Sequence, residues 1–424
     1  MQKIKNIVHY WLIGRVSVRG LGSVLGSLKQ QSGTFTRNNS LKDSLNSFSN
    51  IRQTMIVRSC PCERYNNTLT KTIHEKYLFI KNIITAEKTP DYQTTITYTT
   101  HGDVVFLIEN IIPLLERWQA PISIALYTPG SDFNVTLDAI LYFRNCHDQR
   151  DLVRDFASFH FFLEKDLVPK DMNLDIEESE FSCSSNEHLL KLKHGETYRA
   201  LKELVYPINV GRNLARETVG THFVLASDIE LYPSPGLNEN FFRMINQNPE
   251  AYPDGKNVFV LPVFEIEKGV ELPQNKSQLR ELFNVGKVVW FHKQVMWSYH
   301  KVPNDTKWMN EDDPELKVFV TVKRKVEQRF WEPFYIGTNA EPTFDERLSW
   351  EGKANKMTQA YIMCLLDYNY HVLSNAFFIH RPGIKTQKQA ARVEWEAVGQ
   401  KILHEVIEPD IKLLYGERKG CWLT

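Results

Sequence analysis

Residues 94–130 constrain the fold more than any other stretch, because strand, helix and strand patterns follow one another there without a break. TTITYTT (94–100) is a run of β-branched and aromatic residues suited to a pleated strand. Val104, Val105, Leu107, Ile108, Ile111, Ile112, Leu114 and Leu115 then recur at three-to-four spacing, the apolar stripe of a helix. ISIALYTPG (122–130) is a second apolar run, closed by a Pro-Gly turn. Two strands joined by a helical crossover form a βαβ unit and lie parallel. The alternation continues with DFNVTLDAILYFRN as a helix, FASFHFFLEKD as a strand, YPINVGRNLARETVG (206–220) as a helix and THFVLASDIELYPSPG as a strand. The expected fold class is α/β, built on a mostly parallel, doubly wound sheet whose ligands bind beyond the carboxyl ends of the strands.

The second half mixes strands (NVFVLPVFEI, KVVWF) with aromatic-rich loops and a late helix over 388–406, and reads as completing the same fold. Residues 15–50 are rich in Gly, Ser, Asn and basic side chains with weak periodicity, so 1–60 is expected to be a poorly ordered tail or stem. With 51 basic and 51 acidic side chains, the chain carries no charge excess with which to bind nucleic acid through bulk electrostatics.

Six widely spaced cysteines (Cys60, Cys62, Cys146, Cys183, Cys364, Cys421) lack the spacing of a zinc module and leave disulfides open. Five Asn-x-Ser/Thr sequons, at Asn38, Asn66, Asn134, Asn275 and Asn304, lean with them toward the secretory pathway. No apolar run reaches the ~18 residues of a membrane span; residues 6–14 are apolar but short.

Three segments carry candidate chemistry. FVLASDIELYPSPGL delivers Asp228 and Glu230 at the end of an apolar strand. In an extended segment, side chains two apart share a side, so both carboxylates could address one hard cation, Mg²⁺ or Mn²⁺, whose other ligands are water and phosphate oxygens. The same pair also reads as solvated acids closing a strand. NYHVLSNAFFIHRPGIK (369–385) ends an apolar run at His380, followed by Gly383 and Lys385: a metal ligand, a close backbone approach and a cation for a diphosphate. RFWEPFYIGTNAEPTFDERLSWEGKANK (329–356) sets Asp345 and Glu346 among aromatic residues, suited to holding a sugar face while a carboxylate accepts a hydroxyl proton; a turn capping the next helix is the plainer reading. Arg212, Asn213 and Arg216 in YPINVGRNLAR offer contacts to phosphate or carboxylate, or are solvated helix charges.

These segments, in this order over roughly residues 75 to 410, resemble the glycosyltransferase family of β-1,4-glucuronyltransferase 1 and the carboxy-terminal domain of LARGE. The resemblance implies a GT-A-like fold, with residues 61–240 as the nucleotide-sugar-binding half and 241–424 as the acceptor-binding half. It implies an inverting transferase that takes a UDP-sugar donor, UDP-glucuronate first among them, to a xylose-type acceptor on an O-mannosyl glycan of a glycoprotein. Asp228 and Glu230 take the place of the DxD metal motif, with glutamate as the second acid, and Mn²⁺ or Mg²⁺ with His380 and Lys385 would draw off the diphosphate. Asp345 or Glu346 would be the base, Arg212 or Arg216 the partner of the glucuronate carboxylate, and Asn213 and Gly383 part of the cofactor-binding wall. A Golgi-lumenal type II membrane protein is implied as well, although no anchor is visible before residue 60. A transferase of UDP-xylose or UDP-N-acetylglucosamine, or a catalytically silent carbohydrate-binding relative, would carry the same motifs.

Overall fold

In the computed structural model, residues 67–424 are described, apart from 177, 179–180, 248–250, 253–254, 296–298, 313, 382, 386–392 and 424. The tail with Cys60 and Cys62, the sequons at Asn38 and Asn66, and the first five residues of the late helix expected over 388–406 lie outside the described residues. The described chain belongs to one compact unit, Ser59–Thr424.

In chain order, the described strands are β1 (Thr70–His74), β2 (Tyr77–Ile84), β3 (Ile96–Gly102), β4 (Ile122–Tyr127), β5 (Ala157–Glu164), β6 (Phe223–Ala226) and β7 (Leu231–Pro233). There follow β8 (Asn257–Leu261), β9 (Val263–Ile266), β10 (Val288–Trp290), β11 (Val318–Val322), β12 (Phe334–Gly337), β13 (Asn369–Leu373) and β14 (Phe378–His380). A large sheet has the order β1-β2-β5-β4-β3-β6-β12-β8-β13-β11, and a small one β10-β9-β14-β7.

The fold is α/β, as the alternation requires. β5, β4, β3 and β6 run parallel, with the helix Val104–Trp118 joining β3 to β4. Parallel pairing does not extend across the whole sheet: β12 lies antiparallel between β6 and β8, and both edges close with antiparallel strands. Strands from before and after residue 240 thus share one sheet.

Double winding is visible in which residues pack on each face. Ile122, Ile124 and Leu126 of β4 and Phe159, Phe161 and Leu163 of β5 pack with Leu107, Ile111 and Leu114 of the crossover helix. Ala125, Tyr127 and Phe162, from the alternate positions, pack with Ile208, Val210 and Leu214 of the helix Ile208–Glu217. Both faces are covered, so these strands read as continuous apolar runs rather than as polar/apolar alternation. Each buried Phe or Leu here contributes on the order of 1.5–3 kcal/mol. The helix Ile208–Glu217 comes very close to the sheet at Gly211, where a Cβ would meet the His101 Cβ and the Phe162 ring at 3.0 Å.

Three strands leave the large sheet at their carboxyl ends and continue into the small one: β6 into β7, β8 into β9, and β13 into β14. Three apolar runs expected as single strands are therefore each broken in two. In NVFVLPVFEI the break falls at Pro262, which has no N–H for the ladder. The small sheet caps the rim where ligands of open α/β sheets bind. Among the described residues, no helix is long and apolar enough to cross a membrane.

Disulfides join Cys146 to Cys183 and Cys364 to Cys421, so two of the possible pairings are formed among the described cysteines. The second ties the helix Met357–Leu365 to the carboxyl-terminal segment.

Candidate functional site

Asp228 sits just past the carboxyl end of β6, but the segment is not extended there. The Leu231 N–H donates to the Asp228 carbonyl at 3.0 Å, closing a turn, and the Tyr98 hydroxyl lies within bonding distance of both the Asp228 and Leu231 carbonyls. The expectation that Asp228 and Glu230 align as alternate residues of one strand is corrected by this turn. Each acid instead meets its own partners.

The Asp228 partners come from β3 and from the helix Ile208–Glu217. Arg212 Nη2 donates to Asp228 Oδ1 at 2.9 Å, and His101 Nε2 lies 3.4 Å from the same oxygen. Burial would raise the Asp228 carboxyl, but the Arg212 guanidinium, the His101 ring and the Lys356 ammonium together hold it well below the usual carboxylate range. His101 is itself pushed toward its neutral form by burial, and its Nδ1 is 2.9 Å from the Tyr206 hydroxyl. Arg212, only 5% exposed, also donates through Nη1 to Asn209 Oδ1 at 3.0 Å and to Asn355 Oδ1 at 2.6 Å.

Glu230 turns toward β14. His380 Nε2 donates to Glu230 Oε1 at 3.0 Å; the ring is fully buried beside Phe291, and its Nδ1 has no protein partner among the described residues. His380 thus stands behind Glu230 and orients it. Downstream, Gly383 has a φ of +118°, a conformation side chains rarely adopt. The Lys385 N–H donates to Glu265 Oε2 at 3.1 Å, and its Nζ lies 3.4 Å from His292 Nε2. Glu265, on β9, is fully buried, and that burial raises its carboxyl.

The remaining candidates belong to a second cluster. Asp345 is clasped by Arg347, which donates through Nε to Oδ1 at 2.9 Å and through Nη2 to Oδ2 at 2.6 Å. Glu346 accepts from Asn213 Nδ2 at 2.8 Å on Oε1 and lies 2.6 Å from His74 Nε2 on Oε2. Asn213 also donates to the Phe344 carbonyl, and Arg216 donates to the carbonyls of Pro342 and Glu341. One helix therefore links the clusters: Arg212 holds Asp228, while the next residue, Asn213, holds Glu346.

Among the described residues, no group of three or more His, Cys, Asp or Glu side chains is close enough to hold a metal ion. The donor chemistry of the acid pair still suits a hard cation. Among the described residues, the side-chain contacts of Asp228 fall on Oδ1 and that of Glu230 on Oε1, so a second oxygen of each remains for a cation that completes its shell with phosphate oxygens and water. A cavity of about 230 Å³ lined in part by Lys323, Asp367, Tyr368 and Arg418 opens elsewhere, at the amino end of β13, the rim opposite Asp228.

Sequence reasoning missed His101, Glu265, His292 and Lys356. Glu265 did carry a signal: a carboxylate inside the apolar run VFEI is costly unless something uses it. The others are brought in by pairings that no local spacing reveals.

With this geometry in place, comparison with known proteins is informative. The family described as glycosyl-transferase for dystroglycan matches residues 95–416. A β-1,4-glucuronyltransferase 1 of Danio rerio is 29% identical over 332 residues, covering 75% of this chain and 73% of its own length. That of Homo sapiens is 29% identical over 325 residues, covering 74% of this chain and 75% of its own. The xylosyl- and glucuronyltransferase LARGE1 of Gallus gallus is 27% identical over 224 residues, covering 52% of this chain and 28% of its own.

Proposed function

Since the chain belongs to the glycosyltransferase family for dystroglycan and is itself a glycosyltransferase, we propose that it transfers glucuronic acid from UDP-glucuronate to a xylose-type acceptor on an O-mannosyl glycan, with inversion. The observation that carries the donor site is Asp228, held ionised by Arg212 and His101 at a strand end with one oxygen uncommitted.

Asp228 and Glu230 would hold Mn²⁺ or Mg²⁺. The ion supplies positive charge to the departing diphosphate. Arg212 and His101 fix the Asp228 carboxylate in one orientation, and His380 does the same for Glu230, so neither acid needs to reorganise when the donor arrives. Lys385, whose charge is felt at His292 and His300 as is that of Asp228, would add a cation for the phosphates, and Gly383 a close backbone approach. Of the two candidate bases, Glu346 is the better placed. Asp345 has both oxygens clasped by one arginine, whereas among the described residues Glu346 Oε2 meets only the half-exposed His74, which an acceptor hydroxyl could displace.

Two disulfides, and sequons exposed at Asn275 and Asn304, support a lumenal setting, and with it the Golgi assignment implied by the family resemblance. The test is UDP release from a panel of UDP-sugars with Mn²⁺ and a xylose-terminated acceptor. UDP-glucuronate is expected to exceed UDP-xylose and UDP-N-acetylglucosamine by at least about 10²-fold in kcat/KM. Preference for either neutral sugar would remove the glucuronate reading, and inactivity with all three would favour a silent carbohydrate-binding relative. In the same assay Glu346→Gln should lower kcat by about 10²–10⁴-fold with little change in donor KM; an unchanged kcat would exclude Glu346 as the base.

A further inference from the structure

A carboxylate on the donor sugar needs a cation, and the two arginines of the YPINVGRNLAR helix are not available for it. Arg212 distributes its donors among Asp228, Asn209 and Asn355, and Arg216 gives its own to backbone carbonyls of the 338–342 segment. Freeing either would strand the groups it now satisfies.

Lys356 is different. It follows Asn355, whose side chain accepts from Arg212, and its Nζ lies over the Phe334 ring, 3.5 Å from the centroid. Among the described residues it forms no ion pair and no side-chain hydrogen bond; its charge is felt by Asp228 and Glu332 across longer gaps. Phe334 opens β12 and pairs with Leu261 at the carboxyl end of β8, which places Lys356 on the same rim as Asp228. Burial draws the ammonium down to about 8, which still leaves it mostly charged at neutral pH.

A second group points to the same place. His300 packs against the same ring, 6.1 Å from that of Phe334 and nearly parallel to it, within reach of the Lys356 charge, and its buried Nδ1 has no protein partner among the described residues. Burial keeps His300 neutral, so Nδ1 can carry a proton and donate it in a hydrogen bond. Glu332 is the acid that competes for Lys356, and burial pushes it toward its neutral form.

Resting on the glucuronate reading above, we infer that Lys356, with His300 Nδ1 beside it, is the specificity-determining cation that binds the sugar carboxylate of the donor. An ammonium and an unpartnered N–H gathered about one buried ring match the two oxygens of a carboxylate. The diphosphate has its own groups at Asp228, Glu230 and Lys385.

The test compares UDP-glucuronate, UDP-glucose and UDP on wild type, Lys356→Met and Lys356→Arg, with binding followed by calorimetry and folding by the thermal midpoint. UDP-glucose keeps the diphosphate and replaces only the carboxylate with a hydroxymethyl group. Lys356→Met is expected to weaken UDP-glucuronate at least about 30-fold, to leave UDP and UDP-glucose within about threefold, and Lys356→Arg to restore much of the difference. If Lys356→Met weakens UDP and UDP-glucuronate equally, the lysine serves the diphosphate and the inference is overturned. Unchanged UDP-glucuronate binding also overturns it, while leaving the glucuronate reading intact. A wild type that does not distinguish UDP-glucuronate from UDP-glucose overturns both. A Met variant that does not fold shifts the decision to Lys356→Arg and to His300→Phe, which should lose UDP-glucuronate selectively by about 5–30-fold; no selective loss in either contradicts the assignment.

Discussion

Asp228→Asn is expected to lower kcat with UDP-glucuronate and Mn²⁺ by on the order of 10³-fold while the protein still folds. The substitution preserves shape, and the amide oxygen can still accept from Arg212 at the position Oδ1 now occupies. What it removes is the negative charge that would hold the cation. The loss should therefore appear in turnover and in Mn²⁺ dependence, with only a modest fall in the unfolding midpoint. Activity within a few-fold of wild type would mean that the carboxylate does no chemistry and would revive the reading of a silent relative.

Arg212→Met should produce the largest loss of stability. The guanidinium is buried and joins three elements: Asp228 after β6, Asn209 on its own helix, and Asn355 before the helix Met357–Leu365. Methionine fills most of the volume but leaves Asp228 without its main counter-charge and two amide oxygens without a donor. Breaking one partner of a buried ion pair costs about 3–5 kcal/mol, and the 30% exposure of the Asp228 side chain places the expected value at the lower end. Urea unfolding at constant m-value would measure it.

The pH dependence has a definite sign. The Asp228 carboxyl is held below its unfolded value, so its contribution to wild-type stability is fully present above the ordinary carboxylate pKa and is lost as pH falls through the depressed folded value. In metal-free protein kept in chelator, this contribution is flat between pH 5 and 8. Without Arg212, burial dominates and Asp228 takes up its proton at higher pH. The gap between variant and wild type should thus shrink on acidification; a gap that widens would show that Asp228 is not the group the arginine serves.

Much of the fold is legible in periodicity because the helices and parallel strands are long enough to show it. The runs over 94–130, 157–164 and 208–217 bury alternate or three-to-four-spaced residues on two faces of one sheet. KVVWF reads as a strand and forms β10, but the other three strands of the small sheet were not legible as separate strands, since they are three or four residues long and follow breaks within runs that look continuous. The same turn took Asp228 and Glu230 off a common strand face, although both acids remain at the rim where an open α/β sheet binds ligands. Arg212 and Arg216 read from the sequence either as ligand-binding cations or as solvated helix charges, and the structure buries both. Arg212 goes to Asp228 and Asn209 nearby and to Asn355 far along the chain, and Arg216 to carbonyls of residues 338–342; spacing along the helix cannot reveal these distant partners. Lys356 was hidden for the converse reason: it stands at the end of a motif noted for its acids, and its setting depends on β12 and on His300.

The most direct test of the donor site is a crystal grown with Mn²⁺ and UDP and measured at the manganese absorption edge. The account predicts one anomalous peak within coordination distance of the carboxylates of Asp228 and Glu230 and of the UDP diphosphate, with Arg212 and His380 still on their present partners. A peak that lies away from both acids, with UDP bound elsewhere, would contradict it.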